Sequence, residues 1–156
     1  MKIDITTRNA KRLQALLRDD RFIKGPLSVF LRQSAFVVEA RAKDKAPVDT
    51  GRLRAGMRTD TERLRAIVYN PVKYAPFVEF GTRPHFPPIS AMQPWARRHG
   101  FPAGNAGAYM VARAIAARGT RAQPFLIPAL KESEPEIRGL LNRAIDSFEE
   151  QWERNG

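Results

Sequence analysis

The sequence contains no cysteine, which excludes disulfides, thiolate metal sites and cysteine nucleophiles. Its only two histidines, His85 and His99, have no carboxylate at ligand spacing, so a metal site with about three protein ligands is not expected. No apolar run approaches the roughly 18 residues of a membrane span. Residues 1–9 also lack the apolar core of a signal peptide. We therefore expect no membrane contact, no cofactor and a cytoplasmic site of synthesis.

A catalytic constellation is also missing. None of the five serines lies in a nucleophile elbow, and no phosphate-binding glycine motif occurs. Asp49-Thr50-Gly51 is the tripeptide of aspartic protease loops, but only one copy exists and Arg52 follows it. A cation beside a shared pair of carboxylates would hold both ionised, which that chemistry cannot use. We expect a protein that is not an enzyme, with Gly51 supplying a positive φ in a turn.

Acidic side chains are scarce in this chain of 156 residues. Lys and Arg number 27 against 16 Asp and Glu, a net charge of +11, and 43% of the residues are hydrophobic. Residues 131–156 hold four basic and seven acidic side chains, so residues 1–130 carry +14. Arginine outnumbers lysine twenty to seven, which suits fixed contacts with carboxylates or phosphates. The charge indicates either a generic basic surface or an anionic partner, namely nucleic acid or an acidic patch on another subunit.

Helical spacing of apolar residues marks two principal helices. The first covers residues 27–45, after a break at Gly25-Pro26, and ends before Pro47 because the residue before proline avoids the helical region. The second covers residues 136–153, with Pro135 expected to separate it from a leading turn. An extended segment is expected over 123–127. Shorter helices are expected over residues 8–18, 88–99 and 106–118.

Residues 52–70 change to the alternating pattern of a β-hairpin, with the turn at residues 60–62. In that arrangement the cations share faces of the two strands: Arg52, Arg54 and Arg58 on the first, Arg63 and Arg65 on the second. Like charges placed opposite each other destabilise a sheet. The hairpin therefore predicts an anionic partner at these five arginines, the alternative being a splayed and solvated face.

The expected fold class is α+β, with a small antiparallel sheet that includes the hairpin at about 52–70, packed by the helices at 27–45 and 136–153. Seven of the twelve prolines fall within residues 71–102, so this stretch cannot be one regular element. We expect a single domain over residues 1–156, with an N-terminal helical arm over 1–25. Residues 84–120 are expected to be a loop or helical insert.

Three segments resemble the neck and tail-completion proteins of tailed bacteriophages, the lambda-like minor tail components. The first is Ala-Pro-Val-Asp-Thr-Gly-Arg-Leu-Arg-Ala-Gly-Met at residues 46–57. The second is Tyr-Ala-Pro-Phe-Val-Glu-Phe-Gly-Thr-Arg at 74–83, and the third is Gln-Pro-Phe-Leu-Ile-Pro-Ala-Leu at 123–130. Their order and spacing, behind a long helix, carry the resemblance over roughly residues 27–150.

The resemblance implies a structural virion protein without catalytic residues. Such proteins form rings, usually of six copies, between the head connector and the tail-terminator or tail-tube proteins, around the DNA channel. It implies a location in the virion neck after assembly in the bacterial cytoplasm. The motif positions it transfers as interface candidates are Asp49, Thr50, Gly51, Glu79, Phe80, Gly81, Thr82, Phe125, Pro128 and Leu130.

Physical arguments extend this set. Ring subunits contact their neighbours head to tail, and a basic body with an acidic tail offers opposite charges for that contact. The proline-rich loop 81–88, which contains Phe86, has a low ordering cost on docking. We therefore add Phe86 to the interface candidates. Non-specific contact with DNA also remains open, and the alternative function is a basic DNA-binding protein that acts outside a particle.

Overall fold

The computed structural model describes residues 14–62 and 64–155. Within them it contains seven helices and one antiparallel hairpin, which confirms the α+β class. The chain divides into two compact units: one comprises the residues up to Pro71 and those from Phe125 onward, the other comprises Val72–Pro124. The elements are α1 (Asp20–Phe22), a π-helical turn (Ile23–Leu27), α2 (Ser28–Lys45), α3 (Arg52–Ala55), β1 (Arg58–Glu62), β2 (Arg65–Tyr69), α4 (Ala75–Phe80), α5 (Ile89–Arg98), α6 (Asn105–Arg118) and α7 (Leu126–Asn155).

The N-terminal part of the first unit is helical without interruption from Asp20 to Lys45. The helix at 27–45 is confirmed as α2, but the expected break at Gly25-Pro26 is wrong. Pro26 cannot donate a backbone hydrogen bond, and the wider π-helical turn around it accommodates that loss. The Ser28 hydroxyl donates to the carbonyl of Gly25 over 2.7 Å. Of the helix expected at 8–18, residues 8–13 lie outside the described range, and residues 14–16 are helical.

The C-terminal helix α7 is longer than expected. It runs through Pro135, so the expected break there is wrong. Of the extended segment expected at 123–127, residues 126–127 are helical instead, and residues 123–125 lie before the helix. Ser133 before the proline and Ile145 and Phe148 after it are all buried, and this packing stabilises one continuous helix despite the missing backbone donor. Pro128 lies in the first turn, where its lack of an N–H costs little.

The core of the first unit joins α7 to the N-terminal helices. Phe22, Leu27, Ile145 and Phe148 form a buried cluster, and the rings of Phe22 and Phe148 meet edge to face at 5.3 Å between centroids. Two ion pairs add to the contact between α2 and α7. They are Arg41 with Glu136 and Lys45 with Glu132, each at 2.7 Å.

The hairpin is confirmed but shorter than expected. β1 and β2 pair antiparallel, with Arg58 opposite Tyr69 and Glu62 opposite Arg65, so the turn lies after Glu62 rather than at 60–62. Residues 52–55 form α3 instead of the start of a strand. Leu53 and Met57 are both buried, and their spacing of four fits a helical turn as well as an alternating strand. Gly51, with φ 76°, starts that helical turn.

The second unit contains α4, α5 and α6. The helices expected at 88–99 and 106–118 are confirmed, and α5 packs against α6. Gly107 makes this region compact, because a Cβ there would lie 3.0 Å from the Phe101 side chain. The expected insert at 84–120 lies inside this unit. In the described residues, no helix is both long enough and apolar enough to span a bilayer.

Candidate interaction surface

Helix α4 presents its aromatic side chains to solvent and buries its only charged one. Phe77 and Phe80 are 59% and 69% exposed, and Tyr74 at the N-cap is 40% exposed. Ala75 and Glu79, one helical turn apart, are buried at 4% and 6%. A helix of a soluble monomer normally has the opposite arrangement. We name Tyr74, Phe77 and Phe80 the aromatic stripe.

The aromatic stripe is held in place by residues far away in sequence. Thr82 and Thr120 form an isolated antiparallel bridge, with backbone hydrogen bonds of 3.1 and 3.2 Å and their hydroxyl oxygens 3.0 Å apart. The amide of Gln123 donates to the carbonyl of Val78 inside α4 over 2.8 Å. A six-residue helix has little stability of its own, so these bonds fix its position.

Two glycines make the bridge possible. Gly81 and Gly119 have φ of 70° and 71°, and a Cβ on either would collide with the backbone of the opposite segment. The segments are Gly81-Thr82-Arg83 and Gly119-Thr120-Arg121, so the same tripeptide occurs on both sides. We name these six residues the Gly-Thr-Arg clasp. Sequence reasoning found the first tripeptide and missed the second, although the repetition was a readable signal.

The loop after the clasp adds a further aromatic surface within the second unit. Phe86 is 52% exposed, and its ring lies 6.0 Å from that of Tyr109 on α6. Trp95 on α5 stacks on His99 at 3.9 Å between ring centroids. Exposed aromatic rings at this density are typical of protein contact surfaces. Phe86 therefore belongs to a surface, as an interface residue must.

The turn motif at residues 46–57 is mainly a scaffold. Leu53 and Met57 are buried, whereas Asp49 and Thr50 are exposed. Side chains tie the motif to its neighbours: the Asn70 amide donates to the carbonyl of Leu53 over 2.7 Å. The exposed members of the motif, which a partner can reach, include Val48, Asp49, Thr50, Arg52 and Arg54.

The hairpin arginines do not form the expected cluster. Arg52 and Arg54 lie on α3, so the expectation that they share a strand face with Arg58 is wrong. Arg54 donates to the Lys43 carbonyl over 2.8 Å, and Arg58 donates to the carbonyls of Ala55 and Met57. Arg65 pairs with Glu62 at 2.9 Å, and Arg63 lies outside the described residues.

The charge of the hairpin is mixed rather than cationic. Alternation along β1 places Asp60 and Glu62 on the same face as Arg58. Glu39 on α2 accepts hydrogen bonds from Lys43 at 2.6 Å and from the Thr59 hydroxyl. Partial burial opposes ionisation of Glu39, but these two hydrogen bonds and the positive charges of Lys43 and Arg58 together outweigh it and lower the pKa of its carboxyl. Contact of this region with an anionic partner stays a prediction.

The third motif is divided between core and surface. Phe125 is 1% exposed, so its ring fills the interior of the chain. Pro128 is half-buried and Leu130 is 42% exposed at the start of α7. A partner can therefore reach Leu130 but not the ring of Phe125. Across the described residues, no group of three potential metal ligands is present.

Comparison with known protein families gives a match that lies in the first half of the chain. Residues 8–81 match a family model, HK97-gp10_like, described as "Bacteriophage HK97-gp10, putative tail-component". This stretch includes the turn motif, the hairpin and the whole of α4. Searches of curated proteins and of solved structures gave no match.

Proposed function

We propose that the chain, of which residues 8–81 match the family model of HK97-gp10-like bacteriophage tail components, is a neck protein that completes the tail and joins it to the head. In this proposal several copies, six in the simplest case, form a ring between the head connector and the tail tube. The DNA channel passes through the ring. The function is structural, and the protein is part of the virion.

The observation that supports assembly is the inverted polarity of α4. Exposure of the Phe77 and Phe80 rings to water is unfavourable for a free chain, and this cost is removed when another protein covers the stripe. α4 ends inside the segment that matches the tail-component family. We assign the aromatic stripe, with Phe86, to contacts between neighbouring copies.

The clasp supports the same assignment. Binding costs less when the contacting side chains are already fixed, because fewer rotamers and backbone states are lost. Pro76 in the first turn of α4 restricts its free states, and the Thr82–Thr120 bridge fixes its C-terminal end. The stripe is thus presented in one orientation, as repeated copies in a closed ring require.

The experiment uses the phage or prophage that encodes the chain. Its gene is inactivated and complemented with the wild type or with Phe77→Ser/Phe80→Ser, and lysates are examined by electron microscopy. We expect the double variant to yield DNA-filled heads and finished tails that are not joined. Phe36→Ser, at a 55% exposed site on α2, is the matched control and should restore joined particles.

Two outcomes would reject the proposal. Joined, infectious particles at normal yield with the double variant would show that the stripe is not an assembly contact. Normal particles without any copy of the gene would remove the neck role itself. In that case the alternative, a basic DNA-binding protein acting outside a particle, would be favoured by the net charge of +11.

A further inference from the structure

The second unit, Val72–Pro124, has an almost purely cationic surface. It contains seven Lys and Arg side chains and one carboxylate, Glu79. Glu79 is buried at 6%, and all seven cations are exposed. Six of the seven are arginines, which bind phosphate and carboxylate groups in a forked geometry. The exposed charge of this unit is therefore of one sign.

Helix stability explains only part of this charge. Arg97, Arg98 and Arg118 lie in the last turns of α5 and α6, where cations interact favourably with the helix dipole. Arg113 lies four residues after Tyr109 on the exposed side of α6, away from either end. Arg83 and Arg121 lie in irregular segments, so the dipole does not account for them.

The Gly-Thr-Arg clasp brings two of these arginines to adjacent segments joined by a single bridge. With Thr82 opposite Thr120, the antiparallel register places Arg83 beside Gly119 and Arg121 beside Gly81. Both glycines lack a side chain that could separate or shield the two guanidinium groups. Arg83 and Arg121 are then diagonal neighbours, about 7–8 Å apart, a separation that long side chains can span, so their like charges repel each other. An anion bound between them would remove that cost.

The acidic C-terminal helix of a neighbouring copy is a poor source of this anion. Glu132 and Glu136 of α7 pair with Lys45 and Arg41 of the same chain, at 2.7 Å each. Glu134 pairs with Arg138 at 2.6 Å. Three of the seven carboxylates of residues 131–156 are thus already paired within the chain. The expectation that this helix serves a neighbour as an acidic patch is weakened.

We propose that the Gly-Thr-Arg clasp binds the phosphate backbone of DNA, with Arg83 and Arg121 as paired contacts. The remaining exposed cations of the unit, including Arg113, add non-specific attraction. This inference rests on the proposed neck role only for the source of the DNA. It assigns DNA contact to residues 72–124 and not to the hairpin, where Arg58 shares a strand face with two carboxylates and Arg65 lies opposite Glu62.

The test measures DNA affinity of the purified full chain by fluorescence anisotropy. The probes are a random-sequence duplex and its single strand, from 50 to 200 mM salt. The variant Arg83→Gln/Arg121→Gln is compared with Arg32→Gln/Arg143→Gln, which removes the same charge from exposed sites of the first unit. Loss of two phosphate contacts should lower the slope of log K against log salt by about 1.8 on duplex DNA and about 1.4 on the single strand.

The expected result is therefore a smaller slope and an affinity weaker by about tenfold or more at 50 mM salt for the clasp variant, with little change in the control. Arg83→Lys/Arg121→Lys should keep the salt slope and lose part of the affinity, because lysine lacks the fork. Thermal melting of each variant establishes that the fold is retained.

Several outcomes would overturn the proposal. The first is equal loss in the clasp and control variants, and the second is absence of binding to either probe at 50 mM salt. The third is polyglutamate binding as tightly as DNA with the same dependence on the clasp, which would assign the site to an acidic protein. If the chain fails to bind DNA through the clasp but the gene knockout still yields unjoined heads and tails, the neck role stands and only the DNA-binding proposal is rejected. If the clasp binds DNA but the gene knockout yields normal particles, the neck role is rejected and the DNA-binding proposal stands.

Discussion

A single methyl group at Gly81 is expected to disrupt the clasp. The Cβ of Gly81→Ala would lie 2.5 Å from the carbonyl oxygen of Thr120 and 2.8 Å from the amide nitrogen of Ala122. Both neighbours are backbone atoms, so they cannot move aside as a flexible side chain would. The two segments must therefore separate. The bridge between Thr82 and Thr120 would be lost with them.

The cost follows from two contributions. Gly81 has φ 70° and ψ −174°, a region used almost only by glycine, where an alanine is strained by about 1–3 kcal/mol. Separation of the segments removes the two backbone hydrogen bonds of the bridge, each worth about 0.5–1.5 kcal/mol. The sum is about 2–6 kcal/mol. Gly100→Ala is the matched control, because φ is 76° but the site is open, and it should cost about 1–2 kcal/mol.

The assay is urea unfolding followed by tryptophan fluorescence. The chain has two tryptophans, and a Trp152→Phe background leaves Trp95 in the second unit as the only reporter. We expect the midpoint for Gly81→Ala to fall well below that for Gly100→Ala. Equal midpoints would show that the close approach of the two segments contributes nothing, and the account of the clasp would be wrong.

Three further changes test the first unit. The pKa of the Glu39 carboxyl lies below its ordinary value of 4.5, so the stability that its ionised form contributes is complete above pH 4.5 and is lost as the pH falls through the lowered pKa. Between pH 7 and pH 3 the melting temperature of Glu39→Gln should therefore decline less than that of the wild type, and Asp60→Asn is the comparison variant that should not show this flatter decline. Phe148→Ala should cost about 3–5 kcal/mol in urea unfolding, against about 0.5 kcal/mol for exposed Phe36→Ala. Pro135→Ala should restore a helical hydrogen bond and raise stability by about 1–3 kcal/mol, and a lower melting temperature would contradict this.

A local sequence pattern is enough to predict the elements whose buried residues recur at the spacing of a helix or a strand. α2 has buried positions at Ala35, Val38 and Ala42, spaced by three and four, and it was predicted within one residue. The second strand of the hairpin was also predicted, from its run of strand-forming residues at 65–69. Of the three segments that carry the resemblance to phage tail components, 46–57 lies inside the segment that the family model matches, 74–83 lies inside it up to residue 81, and 123–130 lies outside it.

Other features required information that no local pattern holds. Leu53 and Met57 fit both a strand and a helical turn, and the backbone angle at Gly51 decides between them. Pro135 predicted a break, but burial on both sides of it keeps α7 continuous. The Thr82–Thr120 bridge joins residues 38 positions apart, so only the repeated tripeptide hinted at it.

The candidate site was the hardest part to predict because it violates the usual rule of burial. The sequence of α4 predicts which residues share a face, but that rule would place Phe77 and Phe80 inside and Glu79 outside. The structure has the reverse, since Glu79 is buried and both phenylalanines are exposed. Exposed apolar patches are typical of interaction sites, and composition alone does not show which residues form one.

The two proposed surfaces of the second unit should respond to salt in opposite directions. Like charges keep free copies of a +11 chain apart, and raising salt from 0.1 to 1 M shortens the screening length from about 10 Å to about 3 Å. Association through the aromatic stripe should therefore strengthen with salt, whereas binding of DNA to the clasp should weaken. Sedimentation velocity of the wild type and of Phe77→Ser/Phe80→Ser over this range measures the first effect. Association that weakens with salt, or that persists unchanged in the double variant, would show that charge and not the stripe joins the copies.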